Sequence, residues 1–326
     1  MNAARQTTSP QPADRPLGVI LGFDGSQQAI RALHWAARAA QRRDLPLTVI
    51  TAYTVPAAIS GYTDPTTDLT GDSLARRGAE DIIDEARRYL VDYPGEVTYR
   101  IDYGDAAGVV IGLSSQASLA VVGSRGRGGF IGMMLGSVAS SSAAHTDCPC
   151  VVVPASYDPQ AHSGQTLFSP TEDPRPVTVG VDGSEHGRAA AWEAAQAASD
   201  RETVLRMILA MPPLDAALIW YPELAPRDPE FTRRHRKQLQ KRLRDEGEWL
   251  QKHFPQLRLD QEVVEGSAAE ALVAETPTSQ LTVVGTRGRG GIASTLLGSV
   301  SRGLLLKADG PVMVVPQRFD QSETPE

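Results

Sequence analysis

Short apolar runs alternate along this chain with alanine-rich amphipathic stretches, and they follow the same order in both halves. The first half opens on LGVILGFDG, Leu17–Gly25, and the second on VTVGVDG, Val177–Gly183. Each run ends in Asp-Gly-Ser, at Asp24-Gly25-Ser26 and Asp182-Gly183-Ser184. Helical periodicity follows over Gln27–Arg43 and Glu185–Ser199. The second strands are predicted at Leu47–Tyr53 and Val204–Ala210. A polar, proline-containing loop then leads to a charged helix, Asp72–Asp92 or Pro229–Phe254. Third strands are predicted at Glu96–Tyr103 and Leu257–Glu265, with short helices starting near the N-cap residues Asp105 and Ser267. The fourth strands, Leu119–Gly123 and Leu281–Gly285, run into glycine-rich loops. Helices from Ser137 and Ser299 lead to last strands at Val151–Pro154 and Val312–Pro316.

Each half therefore reads βαβαβαβαβ, an alternation that requires a parallel sheet with helices on both faces. The near-continuous apolar character of the strands agrees, because strands covered on both sides have no polar face to alternate with. The expected fold class is α/β: two tandem Rossmann-like domains, each a five-stranded parallel sheet in the flavodoxin-like order 3-2-1-4-5. The expected boundaries are 16–155 and 175–317, joined by a linker over 156–174 within the Pro-, Ser- and Gly-rich stretch Ser156–Pro176. Apolar edge strands are aggregation hazards unless covered. The fifth strands are therefore expected to pair antiparallel within the chain, relating the halves by a pseudo-twofold axis.

The glycine loops carry the chemistry. VVGSRGRGG at Val121–Gly129 and VVGTRGRGG at Val283–Gly291 both continue to LGSV, at Leu135–Val138 and Leu297–Val300. Both have the form G-x-x-G-x9-G-S: Gly123, Gly126, Gly136, Ser137, and Gly285, Gly288, Gly298, Ser299. A strand enters, a glycine turn follows, and a helix N-terminus leaves, so that backbone N–H groups converge as a phosphate requires. In an open parallel sheet the ligand lies beyond the carboxyl ends of strands one and four. Asp24 and Gly123 end those strands in the first half, and Asp182 and Gly285 in the second. Gly22 and Gly180, with Val138 and Val300, join the candidate set by lying at the same crevice. Arg125, Arg127, Arg287 and Arg289 bring charge to the loops, either against phosphate or as exposed loop arginines. Asp24 and Asp182 have two readings: a helix N-cap, or a hydrogen bond to ribose or adenine with a water-mediated reach to Mg²⁺.

Other chemistries find less support. No G-x-x-x-x-G-K-[ST] segment is present, and the loose dinucleotide match from Gly288 to Ala293 follows the fourth strand instead of the first. The basic run Arg233–Arg244 shares a helix with Phe231, Leu239, Leu243, Leu250 and Phe254 at helical spacing, which makes its charges a solvated face. The six histidines show no ligand spacing, and no metal site is expected. Cys148 and Cys150 have two readings, a redox pair or, as favoured here, two apolar strand-edge residues. A net charge of −7 speaks against nucleic acid as a partner. No apolar stretch reaches the roughly 18 residues of a membrane span, and the N-terminus reads as a short disordered lead without a signal peptide's apolar core. A cytoplasmic location is expected.

These residues resemble the universal stress protein family in its tandem form. The carriers are Asp24-Gly25-Ser26, VVGSRGRGG, Gly136-Ser137 and CPCVVVP, and in the second half Asp182-Gly183-Ser184, VVGTRGRGG, Gly298-Ser299 and GPVMVVP. The pattern is that of the family's ATP-binding branch. The resemblance implies an adenine held by Asp24 with Ala52, and by Asp182 with Ala210, against Val122 and Val284. It implies ribose and phosphates on the glycines and serines of the two loops. The family often adds a hydroxyl two residues beyond the Gly-Ser glycine–serine pair; Ser301 supplies it in the second half and Ala139 does not in the first, so the second site is expected to bind more tightly. The expected function is an ATP-binding regulator of the stress response, with ATP, with or without Mg²⁺, as ligand. An unidentified regulatory protein would be its partner, and homodimerisation would be an added level of assembly. The alternative is a slow Mg²⁺-dependent ATPase or phosphotransferase, for which the sequence shows no positioned base.

Overall fold

The computed structural model describes residues 15–58, 61, 63–64, 69–127, 135–162, 164, 166–169, 171–212, 229–288 and 297–316. The expected N-terminal lead, Arg289 and the match through Ala293 lie outside the described residues, or nearly so in the case of the lead. Two compact units share the chain: one holds residues 15–150 and 159–169, the other 151–158 and 171–316.

The first half contains strands β1 (Val19–Gly22), β2 (Leu47–Tyr53), β3 (Val97–Tyr103), β4 (Leu119–Gly123) and β5 (Cys150–Val153). Between them run helices α1 (Gln27–Arg42), α2 (Gly71–Tyr89), α3 (Ala106–Ser114) and α4 (Ser137–His145). The second half repeats the series with β6 (Val177–Gly180), α5 (Glu185–Ser199), β7 (Val204–Met211), α6 (Pro229–His253), β8 (Arg258–Glu265), α7 (Ala268–Glu275), β9 (Leu281–Gly285), α8 (Ser299–Lys307) and β10 (Val312–Val315). A two-residue antiparallel pair, Thr63–Asp64 with Leu69–Thr70, precedes α2.

The strand order is β3-β2-β1-β4 within the first unit and β8-β7-β6-β9-β10 within the second, each following the 3-2-1-4-5 order expected, while Val151–Val153 of β5 fall in the second unit. Pairing is parallel: Val19 lies opposite both Leu47 and Leu119, and Val177 opposite both Leu205 and Leu281. The Ala120 N–H donates to the Pro149 carbonyl at 2.9 Å where β5 begins beside β4. The central strands are buried throughout, with Val19, Ile20, Leu21, Val177 and Val179 at 0% exposure. That is why they read as continuous apolar runs.

Local signals explain where the helices begin. Ser26 Oγ accepts from the Ala29 N–H at 3.1 Å, and Ser184 Oγ accepts from the Gly187 N–H at 3.1 Å. Asp105 accepts from the Gly108 N–H at 2.9 Å, and Thr70 and Ser73 form a reciprocal capping box. On α6, Leu239, Leu243 and Leu250 are buried, while Arg233, Arg234, Arg236, Lys237, Lys241, Arg242 and Arg244 are exposed. The basic run is thus a solvated face.

The segment expected only to link the halves does more. Phe168 is 3% exposed in the first unit, stacked on His34 at 5.9 Å and edge-on to Tyr93 at 5.2 Å and Tyr89 at 6.1 Å. His34 Nε2 also lies 2.9 Å from the Leu167 carbonyl. The corresponding place in the second unit is filled from within. Trp192 stands ten residues after Asp182, as His34 does after Asp24. It packs on Trp249 at 5.7 Å and on Phe254 at 5.0 Å. A smaller ring at this position of α1 leaves room that Phe168 occupies.

Candidate functional site

At the carboxyl end of β1 the chain turns through Asp24, Gly25 and Ser26 into α1. Asp24 Oδ1 accepts from the Ser26 N–H at 3.0 Å. Its Oδ2 accepts from the Arg127 N–H at 2.8 Å, which fastens the start of the glycine loop to the end of β1 across 103 residues of sequence. Gly126 sits between: a Cβ there would stand 2.5 Å from Asp24 Oδ2. A side chain here would have to displace the carboxylate from that place. The Arg127 guanidinium leans toward Glu85, 3.9 Å away, and both side chains are substantially exposed.

The second unit repeats this geometry. Asp182 Oδ1 accepts from the Ser184 N–H at 2.9 Å and from its hydroxyl at 2.6 Å. A Cβ on Gly288 would again stand 2.5 Å from the carboxylate, at Oδ2. Asp24 and Asp182 are therefore not the N-cap acceptors themselves. The following serines cap the helices; both aspartates bind the turn, and Asp24 also binds the loop.

The loops return to the sheet through matched bonds. The Gly136 N–H donates to the Ser124 carbonyl at 2.8 Å, and the Gly298 N–H to the Thr286 carbonyl at 2.7 Å. Gly136 and Gly298 then serve as N-caps of α4 and α8, and neither helix has a side-chain cap. In α1, α2, α3 and α5 a side chain accepts one of the first N–H groups. Helices α4 and α8, like α7, have no such cap, and at α4 and α8 Ser137 and Ser299 are exposed and Val138 and Val300 half-buried. Uncapped N–H groups and the positive end of a nine-residue helix favour an anion.

Other candidate residues fall into place around these two features. Ala52 and Ala210 are half-buried at the ends of β2 and β7, with Val122 and Val284 buried at the ends of β4 and β9. The Thr51 hydroxyl donates to the Phe23 carbonyl at 2.9 Å and holds the end of β1 to β2, a support the sequence reading did not single out. Arg125 is exposed and Arg287 half-buried.

Three expectations change on contact with the structure. Gly22 and Gly180 make room for helices: a Cβ would stand 3.2 Å from Val110 of α3 in one case and 2.5 Å from Leu272 of α7 in the other. Gly123 and Gly285 let the helix backbone approach, since a Cβ would stand 3.0 Å from the Gln28 carbonyl oxygen or 2.8 Å from that of His186. Ser301 is 2% exposed, and its hydroxyl lies 3.1 Å from the Thr286 carbonyl and 3.0 Å from that of Gly298. It braces the loop from inside, where Ala139, 1% exposed, stands in the first unit.

His186, read from the sequence as an ordinary structural or exposed histidine, is part of this neighbourhood. Its Nε2 is buried without a hydrogen-bond partner, as is Nε of Arg287. Burial and the nearby Arg287 charge lower the pKa of the imidazole, while Asp182 and Glu185 act in the opposite direction. Comparing the halves position by position would have exposed it, because Gln28 occupies the matching place after Asp24. Cys148 and Cys150 are both buried, and burial raises the Cys150 pKa far above the ordinary thiol range. They match the apolar role expected of them. Among the described residues no group of three or more His, Cys, Asp or Glu could hold a metal ion, and no helix is long and apolar enough to cross a membrane.

Comparison with known proteins supplies the family. The universal stress protein family profile matches residues 18–154 and 174–316. A universal stress protein of Mycobacterium tuberculosis is 31% identical over 323 residues, covering 92% of this chain and 96% of its own. A second from the same organism is 32% identical over 309 residues, covering 91% and 96%. Among solved structures, a universal stress protein from Archaeoglobus fulgidus superposes with a TM-score of 0.63 at 17% identity, covering 92% of this chain and 96% of its own. Two successive matches to one profile, and relatives of the same length that align across both halves, leave one conclusion: the chain belongs to the universal stress protein family, as a tandem two-domain member.

Proposed function

We propose that this protein binds ATP in each unit and acts in the cytoplasm as a nucleotide-dependent regulator of the stress response. Occupancy would change a surface that a partner protein reads. The observation that carries the reading is the duplicated cradle: a helix N-terminus without a side-chain cap, beginning at glycine, beside a glycine loop whose middle position lies against a carboxylate.

In this reading the phosphates take the free N–H groups at the starts of α4 and α8, helped by the exposed Ser137 and Ser299. The adenine lies over Ala52 or Ala210 at the strand ends, Asp24 keeps the first loop closed against the sheet, and Asp182 takes the same place beside Gly288. Both oxygens of Asp24 already accept backbone N–H groups. A magnesium ion arriving with ATP would be held chiefly by phosphate oxygens and water, reaching Asp24 through water. The family membership supports a regulatory role over a metabolic one.

The test is direct. Denaturing freshly purified protein should release adenine nucleotide, and calorimetry on stripped protein should count two sites that prefer ATP to GTP. Gly126→Val should abolish one site and Gly288→Val the other. No released nucleotide together with no calorimetric binding would reject the reading. Accumulation of ADP in the same samples would move it toward the slow ATPase.

A further inference from the structure

Beyond Ser301 and Ala139, the two cradles differ at a pair of positions that bears on the ligand. Four residues after the strand-end aspartate stands Gln28 in the first unit and His186 in the second. Each lies with its backbone against the strand-end glycine of the neighbouring strand, Gly123 or Gly285. Two residues beyond those glycines stand Arg125, exposed, and Arg287, half-buried. Only in the second unit do the two side chains at these positions both leave a buried nitrogen without a partner, His186 Nε2 and Arg287 Nε.

Two unpartnered buried nitrogens on side chains within electrostatic reach of each other, one of them on a permanent cation, call for an acceptor. The neighbouring carboxylates do not fill that role. Asp182 Oδ1 is engaged by the Ser184 N–H and hydroxyl. Neither Asp182 nor Glu185 bonds to either nitrogen, although both lie near enough to act on the imidazole. An oxyanion at the end of β9 would satisfy both donors with charge-assisted hydrogen bonds.

We propose that His186 and Arg287 form an anion subsite present only in the second unit, where they hold a phosphate oxygen of the bound nucleotide. The inference rests on the nucleotide reading above. A rotamer change of the half-buried Arg287 uncovers the two nitrogens to the ligand. The charged groups facing His186 are Arg287 from the loop after β9, Asp182 from the turn after β6, and Glu185 on its own helix. Without ligand, burial and Arg287 keep the imidazole neutral at pH 7. A phosphate brings negative charge to the ring and favours its protonated form. The second site should therefore tighten as pH falls, and the first, with Gln28, should not share that component.

The experiment uses the full chain carrying Gly126→Val, so that only the second site remains, with ATP as the probe. Imidazole resonances of ¹⁵N-labelled protein are followed from pH 5.5 to 8, with His186→Gln assigning the signal. Saturating ATP is expected to raise the His186 pKa by about one unit. Calorimetric affinity is expected to gain about fivefold more between pH 8 and pH 5.5 in the His186 protein than in His186→Gln. Comparing the two proteins cancels the titration of ATP itself. ATP that binds without moving the His186 pKa, or parallel pH profiles for the two proteins, would overturn this inference and leave the nucleotide reading standing. Absence of any ATP binding would overturn both.

Discussion

Gly126→Ala is the smallest change that tests how the first cradle is built. The added Cβ would stand 2.5 Å from Asp24 Oδ2, and ordinary contact begins at 3.4 Å, so the two groups must separate by about 0.9 Å. The carboxylate can yield only by weakening the bond it accepts from the Arg127 N–H at 2.8 Å. A hydrogen bond to a charged group contributes about 1.5–3 kcal/mol. Asp24 is half-exposed, and solvent screening reduces the loss to roughly 1 kcal/mol. The expected result is a weakening of ATP binding at the first site by about fivefold. Calorimetry on a Gly288→Val background isolates that site. The decisive arm is a double-mutant cycle with Asp24→Ala. If the carboxylate is what the new methyl meets, Gly126→Ala should cost almost nothing once Asp24 is gone. A penalty that persists unchanged in Asp24→Ala would refute the reasoning and assign the clash to the ligand.

Two further outcomes follow from the packing. Phe168→Ala should destabilise the first unit by about 3 kcal/mol, the usual loss for a buried phenylalanine, in scanning calorimetry; a loss below about 0.5 kcal/mol would show that the segment does not pack on α1 and α2. Ser301→Ala should cost roughly 1 kcal/mol of stability while changing ATP affinity at the second site less than about twofold, because its hydroxyl braces loop carbonyls; a tenfold loss of affinity with stability unchanged would return Ser301 to direct phosphate contact.

The architecture was legible in the sequence because it rests on local signals repeated twice. Continuous apolar strands, amphipathic helices and Asp-Gly-Ser caps recur in one order, and a βαβ alternation admits few sheet topologies. The glycine spacing was legible for the same reason: a loop that passes a carboxylate closely at Gly126 and Gly288 must displace it to carry a side chain there. What a side chain faces depends on contacts far along the chain, and there the tertiary structure decided. Gly22 and Gly180 look like ligand-site glycines in sequence, yet they serve the close packing of α3 and α7. Ser301 looks like a phosphate donor, yet its hydroxyl turns inward to Thr286 and Gly298. Phe168 lies in a stretch with a linker's composition, and only the space beside His34, 134 residues earlier, makes it a core residue. Asp24 and Arg127 likewise meet only after the sheet brings β1 and β4 together. Local propensity and periodicity act over a few residues and survive in the sequence; burial and hydrogen-bond partnership belong to the folded sheet and appear only with it.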